Sequence, residues 1–279
     1  MGPMGERMER NEGNGRVALV TGGASGIGLA TAGVLANRGW RVVISDLNAA
    51  RCREMAGPIG AEAVPFDVAD ETATEAAFED VEARFGPVEA LMANAGLIQP
   101  GGRPEDLPLL DFDRIIAVNV RGVYVSCLAA GRRMAPRGRG GIVITGSVTA
   151  WRTAPLHAYA PSKAAVVHLA ACLAAEWGRS GIRVNAVSPG YVATPPLQAA
   201  IDSGQRDPKL LTDAAALGRM VEPEEIGRAV AFLLSDDAAA ITGINLPVDA
   251  GWLAGAHLST YGGIRPARER PPPAALPDV

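Results

Sequence analysis

The chain has 279 residues, of which 48% are hydrophobic, and a formal net charge of −4 at pH 7. That length allows one large α/β domain with a sizeable core, and the slightly acidic balance argues against nucleic acid or an anionic membrane as the main partner. The first 15 residues are polar and lack the apolar run of a signal peptide. We therefore expect residues 1–15 to form a disordered arm, and the protein to be cytoplasmic.

Short apolar runs alternate with stretches of helical spacing between residues 16 and 252. The predicted strands lie at 16–20, 41–45, 61–68, 88–93, 141–147, 182–190 and 244–251. The predicted helices lie at about 27–39, 48–57, 71–85, 110–135, 157–179, 195–217 and 223–235. Bare hydrophobic strands in strict alternation with helices are typical of parallel sheets covered on both faces. The pattern predicts a single Rossmann-type domain, a doubly wound α/β fold with seven parallel strands and helices on both faces. Residues 253–279 shift to Pro and Arg, which predicts a partly disordered C-terminal extension.

A glycine-rich loop, TGGASGIG (21–28), joins the first predicted strand to the first helix. Glycines at 22, 26 and 28 let the backbone approach a diphosphate at a helix N-terminus. A tight turn with nothing bound would need similar glycines, so the loop alone is weak evidence. Asp46 follows the second strand, where a carboxylate accepts hydrogen bonds from a ribose diol and repels a 2′-phosphate. This favours NAD over NADP.

The stretch YAPSK (159–163) contains one of only two lysines in the chain, the other being Lys209. Tyr159 and Lys163 are four residues apart and share one face of a predicted helix. A nearby ammonium, together with the charge of an oxidised nicotinamide, favours phenolate and would lower the pKa of the tyrosine. An isolated pair of this kind is also a common surface feature of helices. Three histidines without ligand spacing predict no catalytic metal.

Taken together, these ordered motifs resemble the short-chain dehydrogenase/reductase family over residues 16–252. The matching segments are TGGASGIG, FDV (66–68), NAG (94–96), VNVRG (118–122), YAPSK and SPGYVAT (188–194). The resemblance implies that the cofactor is bound by Thr21, Gly22, Ser25, Gly26, Ile27, Gly28, Asp46, Asp67, Val68, Asn94, Ala95, Gly96, Tyr159, Lys163, Pro189, Gly190, Val192 and Thr194. Ser25 stands where NADP-preferring members commonly have a basic residue, which agrees with Asp46.

The same resemblance implies a catalytic set of Ser147, Tyr159, Lys163 and Asn119. Tyr159 would be the general acid/base, Ser147 would bind the substrate oxygen, and Asn119 would hold a water that links Lys163 to solvent. The Ser147–Tyr159 spacing is one residue shorter than usual in the family, so Thr145 and Thr149 remain alternative hydroxyls. The implied activity is NAD(H)-dependent interconversion of a secondary alcohol, such as a polyol, sugar or cyclic alcohol, and its ketone.

Other functions also remain open at this stage. A 3-oxoacyl-carrier-protein-type reductase and a non-catalytic NAD-binding regulatory protein would share the cofactor motifs, and a Rossmann methyltransferase would share the glycine loop. The segments 97–109, 148–158 and 191–218 are expected to form the substrate pocket, with Trp151 and His157 as candidate contacts. The resemblance also implies a homotetramer.

Overall fold

Seven parallel strands form one sheet in the computed structural model, which describes residues 12–264. The strands are β1 Val17–Thr21, β2 Arg41–Ser45, β3 Glu62–Ala63, β4 Val88–Ala93, β5 Gly140–Thr145, β6 Ile182–Pro189 and β7 Asn245–Val248. Their order across the sheet is β3-β2-β1-β4-β5-β6-β7. This confirms the predicted doubly wound Rossmann-type topology.

The helices cover both faces of this sheet. They are α1 Gly26–Asn37, α2 Ala49–Ala56, α3 Glu71–Phe85, α4 Leu109–Ile116, α5 Val123–Met134, α6 Tyr159–Trp177, α7 Pro195–Asp202, α8 Pro208–Asp213, α9 Pro223–Leu234 and α10 Trp252–Gly255. Alternating strand residues point to opposite faces, so each strand contributes to two separate cores. In β1, Leu19 packs in one core and Val20 in the other.

The chain reverses its winding direction between β1 and β4, which are neighbours in the sheet. Loops that leave the carboxyl ends of these two strands diverge and leave a crevice, the usual ligand position in such folds. The glycine-rich loop follows β1, and the NAG segment follows β4. The topology therefore brings these two predicted motifs to one edge of the sheet.

Two strand predictions were too long. The strand predicted at 61–68 is only Glu62–Ala63, because Pro65 has no N–H group to continue the ladder, although Phe66 and Val68 are still buried. The strand predicted at 244–251 ends at Val248, because the chain turns through positive φ angles at Ala250 and Gly251.

The long helix predicted at 110–135 is three segments. A π-helical stretch, Ala117–Gly122, separates α4 from α5. The span Leu109–Arg137 is the one helix among the described residues long and apolar enough to cross a membrane, with 56% of its apolar window buried. Cys127 and Met134, both fully buried, place it in the core beneath the sheet. Burial of this apolar face explains its hydropathy.

Both ends of the described chain pack on the domain. Glu12 lies within the predicted arm, yet its carboxylate pairs with Arg38 at 2.9 Å. At the other end, α10 and a 3₁₀ segment, Ala256–Tyr261, follow β7. The rest of the predicted arm, residues 1–11, and of the predicted extension, residues 265–279, lies outside the described residues.

Candidate active site

A single cavity of about 830 Å³ runs along the carboxyl edge of the sheet. Most of the residues predicted to bind cofactor or catalyse line it: Gly22, Ser25, Gly26, Ile27, Asp46, Asp67, Val68, Asn94, Ala95, Gly96, Ser147, Tyr159, Lys163, Pro189, Gly190, Val192 and Thr194. Three predicted residues, Thr21, Gly28 and Asn119, lie behind this lining. The predicted motifs therefore converge on one site, although they are far apart in the chain.

The glycine loop is built for close approach of backbone to backbone. Gly22 has a φ of +64°, a conformation that favours glycine. A Cβ on Gly28 would lie 2.1 Å from the carbonyl oxygen of Gly22, so any side chain there would force the loop apart. Gly28 thus acts by packing the loop on the helix, which explains why it does not line the cavity.

The N-terminus of α1 faces the cavity with its backbone donors available. Ser25 is the N-cap residue, but its side chain makes no capping hydrogen bond, and the first turn of α1 contains no acidic residue. Free N–H groups and the positive end of the helix dipole attract an anion. The loop after β6 closes this end, with Thr194 Cγ2 only 3.5 Å from where a Cβ of Gly26 would lie. This arrangement fits the diphosphate of a dinucleotide.

Thr21 and Asn94 connect the glycine-rich loop to the loop after β4 by hydrogen bonds. Thr21 Oγ1 accepts hydrogen bonds from the backbone N–H groups of Asn94 and Ala95, at 3.0 and 3.1 Å. In return, Asn94 Nδ2 donates to the carbonyl oxygens of Thr21 and Gly22, at 3.1 and 3.2 Å. Thr21 therefore supports the crevice from behind the cavity lining.

Two carboxylates line the cavity beside the glycine loop and the segment after β3. Asp46 follows β2 and accepts hydrogen bonds from the backbone N–H groups of Asn48 at 3.1 Å and Ala24 at 3.4 Å. Asp67 accepts one from Ala69 N at 2.9 Å. Both side chains are thus held in place by backbone donors, and both line the cavity. Both can therefore accept hydrogen bonds from a ligand in the cavity.

Ser147, Tyr159 and Lys163 meet in the middle of the cavity. Tyr159 begins α6, and Ser147 follows β5, so the sheet edge brings the helix start to the strand end. The Ser147 hydroxyl interacts with the Tyr159 phenol and lowers its pKa. Lys163 Nζ lies 5.6 Å from the centre of the Tyr159 ring and donates a 2.8 Å hydrogen bond to the Thr145 carbonyl oxygen. The short Ser147–Tyr159 connection therefore still delivers the expected contact.

The alternative hydroxyls are placed differently. Thr145 Oγ1 donates to Asn94 Oδ1 at 3.1 Å. Thr149 Oγ1 is buried with no hydrogen-bond partner among the described residues. Ser147 is the hydroxyl that meets Tyr159 directly.

Burial dominates the protonation of the central residues. It raises the pKa of Tyr159, an effect that the Ser147 hydrogen bond opposes. It also lowers the pKa of Lys163 to about 8. The expected lowering of the tyrosine pKa by the lysine is therefore absent in the protein alone, because desolvation of the phenolate outweighs an ammonium 5.6 Å from the ring.

Asn119 organises the layer beneath Lys163. It is fully buried in the π-helical stretch, a type of irregularity frequent at functional sites. Its amide forms a two-way pair with the backbone of Leu97, at 2.7 and 2.9 Å, and donates to Ser162 Oγ at 3.1 Å. Asn119 Oδ1 and Lys163 Nζ would both lie within 4 Å of a Cβ on Gly96, so Gly96 keeps this space free.

Replacing Lys163 with Met should stabilise the cofactor-free protein at pH 7 by about 1–2 kcal/mol, because a buried ammonium is costly. The pKa of Lys163 lies at about 8 in the folded state and near 10.5 in the unfolded state. Below pH 8 both states carry the proton and the full penalty is present. Between pH 8 and 10.5 the unfolded state binds more protons, so wild type gains stability as pH rises.

Urea unfolding of both proteins at several pH values measures this difference. The stability difference should move by about 3 kcal/mol in favour of wild type between pH 7 and 10.5, so that Lys163→Met becomes the less stable protein at high pH. Comparing the two proteins cancels the contributions of the other titrating groups. A stability difference that stays constant with pH would contradict a buried, proton-releasing lysine.

Several lining residues were not singled out individually from the sequence. Trp252 and Tyr191 form an edge-to-face pair with ring centroids 5.7 Å apart, and both line the cavity. Leu197, Arg152 and Arg206 also line it. The lining includes residues from all three predicted pocket segments and extends to Trp252 in α10, which only the turn after β7 brings close. Aromatic residues make up only 5% of the chain, and this rarity was the feature of the sequence that could have drawn attention to Trp252.

The two candidate contacts in the Ser147–Tyr159 connection lie outside the cavity lining. Trp151 is 47% exposed. His157 Nε2 is 3.3 Å from the Gly102 carbonyl oxygen, so it ties the connection to the neighbouring loop. Among residues 12–264, no three His, Cys, Asp or Glu side chains group as metal ligands would.

Known proteins share this architecture. A family profile described as enoyl-(acyl carrier protein) reductase matches residues 22–253. D-threitol dehydrogenase of Mycolicibacterium smegmatis is 40% identical, over 86% of this chain and 93% of that protein. Cis-4-hydroxycyclohexanecarboxylate dehydrogenase of Sinomonas cyclohexanicum is also 40% identical, over 86% and 97%.

Two solved structures from Brucella melitensis superpose over nearly their whole length. One, titled ribose-5-phosphate isomerase, has a TM-score of 0.87 and 42% identity, over 91% of this chain and 98% of that one. The other, a 3-ketoacyl-(acyl-carrier-protein) reductase complexed with NADH, has a TM-score of 0.80 and 35% identity, over 85% and 98%.

The fold and the site define an oxidoreductase of the Rossmann class that uses a nicotinamide cofactor. Within that class, the relatives and the profile match together identify the family. The chain belongs to the short-chain dehydrogenase/reductase family. Its chemistry is therefore oxidation of an alcohol carbon or reduction of the matching carbonyl, on a small-molecule substrate.

Proposed function

We propose that this protein is an NAD(H)-dependent dehydrogenase of secondary alcohols, with Tyr159 as general acid/base. The observation that carries the proposal is that Ser147, Tyr159 and Lys163 line the same cavity as the uncapped start of α1. A substrate oxygen between the Ser147 and Tyr159 hydroxyls would form a hydrogen bond with each of them. The cofactor and the residues that transfer the proton would then lie in the same cavity.

The bound nicotinamide supplies the hydride-accepting carbon, and the protein supplies position and proton transfer. The start of α1 and the glycine loop would hold the diphosphate, while Asp46 would accept hydrogen bonds from the adenosine ribose. Ser147 would donate to the substrate oxygen and orient it. Tyr159 would accept the hydroxyl proton during oxidation and return it during reduction.

Lys163 would bind the nicotinamide ribose and favour the phenolate of Tyr159. Its ammonium already donates to Thr145 O, so it has two further N–H groups to offer. Asn119 would hold the backbone of Leu97 so that a water can reach Lys163 from solvent. A wide guanidinium in place of Lys163 would not fit beside the buried Asn119 amide, which accounts for lysine in a chain that otherwise prefers arginine.

NAD preference over NADP rests on Asp46. Its carboxylate lines the ribose end of the cavity, where a 2′-phosphate would meet a like charge. Ser25 adds no positive charge to the glycine loop. The neighbouring Arg51 already donates its Nε–H to the Ala24 carbonyl oxygen at 3.2 Å.

The substrate class follows from the cavity and the relatives. A lining of Leu156, Leu197 and Trp252 beside the two hydroxyls suits a compact ring or short chain. Relatives named for D-threitol and cis-4-hydroxycyclohexanecarboxylate are a polyol and a cyclic alcohol dehydrogenase. We therefore propose polyols, sugars or cyclic alcohols as substrates.

A second candidate is reduction of 3-oxoacyl groups on a carrier protein. It is favoured by the profile description and by the NADH-bound reductase that superposes on this chain. A non-catalytic role as an NAD-dependent regulator is a weaker third candidate, because it would not need the Ser147–Tyr159–Lys163 cluster.

We further propose that the protein acts in the cytoplasm as a homotetramer. An exposed row of small or modest side chains runs along α6: Ala164, Ala165, His168, Cys172 and Ala175. Such a face lets two helices from different subunits approach closely. Light scattering of the purified protein should give four times the 28.8 kDa subunit mass.

The proposed function is tested by a substrate panel. Purified protein is mixed with NAD⁺ or NADP⁺ and with polyols, sugars, cyclic alcohols and a 3-hydroxyacyl thioester, and nicotinamide absorbance is followed. We expect turnover of at least one free alcohol, faster with NAD⁺, with the matching ketone identified by mass spectrometry. Turnover of the thioester alone would support the reductase alternative, and tight NADH binding without any turnover would support the regulatory one.

A further inference from the structure

The substrate end of the cavity carries unpaired positive charge. Arg152 lies in the Ser147–Tyr159 connection, and Arg206 lies between α7 and α8, so two different walls each contribute a guanidinium to the lining. Neither guanidinium makes a hydrogen bond or ion pair with any residue among 12–264. Most other arginines that the structure describes have such partners, as Arg133 does with Glu75 at 2.7 Å.

The carboxylates that line the cavity lie elsewhere. They are Asp46 and Asp67, both at the adenosine end beside β2 and the segment after β3. Near Arg206, Asp202 accepts a hydrogen bond from Gln198, and Asp207 caps the backbone of Lys209. A third lining arginine, Arg114, comes from α4, apart from the walls that follow β5 and β6. The substrate end therefore has cations and no lining carboxylate of its own.

We infer that the alcohol substrate is a hydroxy acid, whose carboxylate is bound by Arg152 and Arg206 while its hydroxyl meets Ser147 and Tyr159. This inference rests on the proposed function and adds the charged group to it. A guanidinium fork matches a carboxylate with two parallel N–H···O bonds, and such charged bonds are about twice as strong as neutral ones.

The positions of the cavity walls support separate binding of the substrate carboxylate and the substrate hydroxyl. Arg152 follows Ser147 by five residues, on a connection that a 3₁₀ turn, Val148–Ala150, holds against the cavity. A ring or short chain between the two groups would pack on Leu156 and Trp252. Both arginines are exposed, so they can attract the anion from solvent.

The test compares two molecules of the same shape, cis-4-hydroxycyclohexanecarboxylate and its neutral carboxamide, as substrates with NAD⁺. We expect kcat/KM to be at least about tenfold higher for the acid, since a hydrogen bond to a charged group is stronger than a neutral one. Arg152→Gln should remove most of this preference by raising KM for the acid much more than KM for the carboxamide. Arg206→Gln should reduce the preference in the same direction.

Controls separate binding of the carboxylate from structural effects. Arg179→Gln removes the same charge from an exposed position outside the cavity and should keep the preference of wild type. Arg152→Lys should restore part of it. The Kd for NADH should be unchanged in Arg152→Gln and Arg206→Gln; weaker NADH binding in Arg206→Gln would assign that residue to the cofactor diphosphate and overturn its part of the inference.

The outcomes distinguish this inference from the proposed function. The hydroxy-acid inference fails, and the dehydrogenase assignment stands, if neutral alcohols turn over but kcat/KM for the acid is no higher than for the carboxamide. The same conclusion follows if neutral alcohols turn over and the acid and the carboxamide are neither substrates nor inhibitors. A preference for a phosphorylated sugar over the acid would likewise overturn it. If no alcohol of any charge turns over, the proposed function itself fails.

Discussion

Tyr159→Phe is expected to lower kcat about a thousandfold for alcohol oxidation while the Kd for NADH stays unchanged. The substitution removes only the hydroxyl that meets Ser147, and general acid–base catalysis by one positioned group contributes on the order of 10²–10⁴. The ring is largely retained, so packing against Lys163 should persist. Steady-state kinetics and fluorescence titration with NADH measure the two quantities.

The pH profile adds a second readout. Burial raises the pKa of Tyr159 in the protein alone, so the phenol holds its proton at neutral pH. Oxidation needs the phenolate, and its rate should therefore rise as pH increases through the alkaline range. Tyr159→Phe should lack this rise.

Tyr124→Phe is the matched control. Tyr124 is 42% exposed on α5 and lies outside the cavity lining, so loss of its hydroxyl should leave kcat at the wild-type value. A Tyr159→Phe enzyme that keeps more than about a tenth of wild-type kcat would contradict the role of general acid/base.

Asp46→Asn is expected to shift the preference between NAD and NADP about a hundredfold towards NADP. The amide keeps one oxygen to accept the 3.1 Å bond from Asn48 N, and it gives up the longer 3.4 Å bond from Ala24 N. It removes the charge that would repel a 2′-phosphate, and juxtaposed like charges cost several kcal/mol. It also weakens the hydrogen bonds to the ribose diol of NAD. Ratios of kcat/KM for the two cofactors measure the shift.

Asp67→Asn serves as the comparison for this change. It removes a second carboxylate from the same end of the cavity, but from the position proposed for the adenine ring. We expect it to weaken the binding of NAD and NADP to a similar degree, so that the ratio of their kcat/KM values stays unchanged. A ratio that moves equally in the two variants would mean that overall charge, and not the ribose position of Asp46, sets cofactor choice.

The sequence predicted the sheet because its signals were local. Bare apolar runs such as Val17–Val20 and glycine at position 28 define buried strands and a tight turn without any knowledge of distant partners. The motif residues gathered at one edge because parallel strands all end there. Boundaries were less accurate where one residue interrupts a pattern, as Pro65 does after β3.

Features that depend on distant contacts were not predictable. The π-helical stretch that presents Asn119 contains a single weak helix former, Gly122, which by itself does not distinguish a π-helix from an α-helix. Trp252 lies 93 residues beyond Tyr159 and reaches the cavity through the turn at Gly251. The raised pKa of Tyr159 also depends on burial in the finished fold, which the four-residue spacing to Lys163 does not encode.

Transfer of deuterium tests the central claim most directly. The alcohol of the panel that turns over fastest is deuterated at its carbinol carbon and incubated with NAD⁺ and the enzyme, and the reduced cofactor is analysed by mass spectrometry. A dehydrogenase that moves hydride directly should give NADH heavier by one mass unit and an unlabelled ketone. Deuterium that appears in solvent, with an unlabelled NADH, would contradict the account.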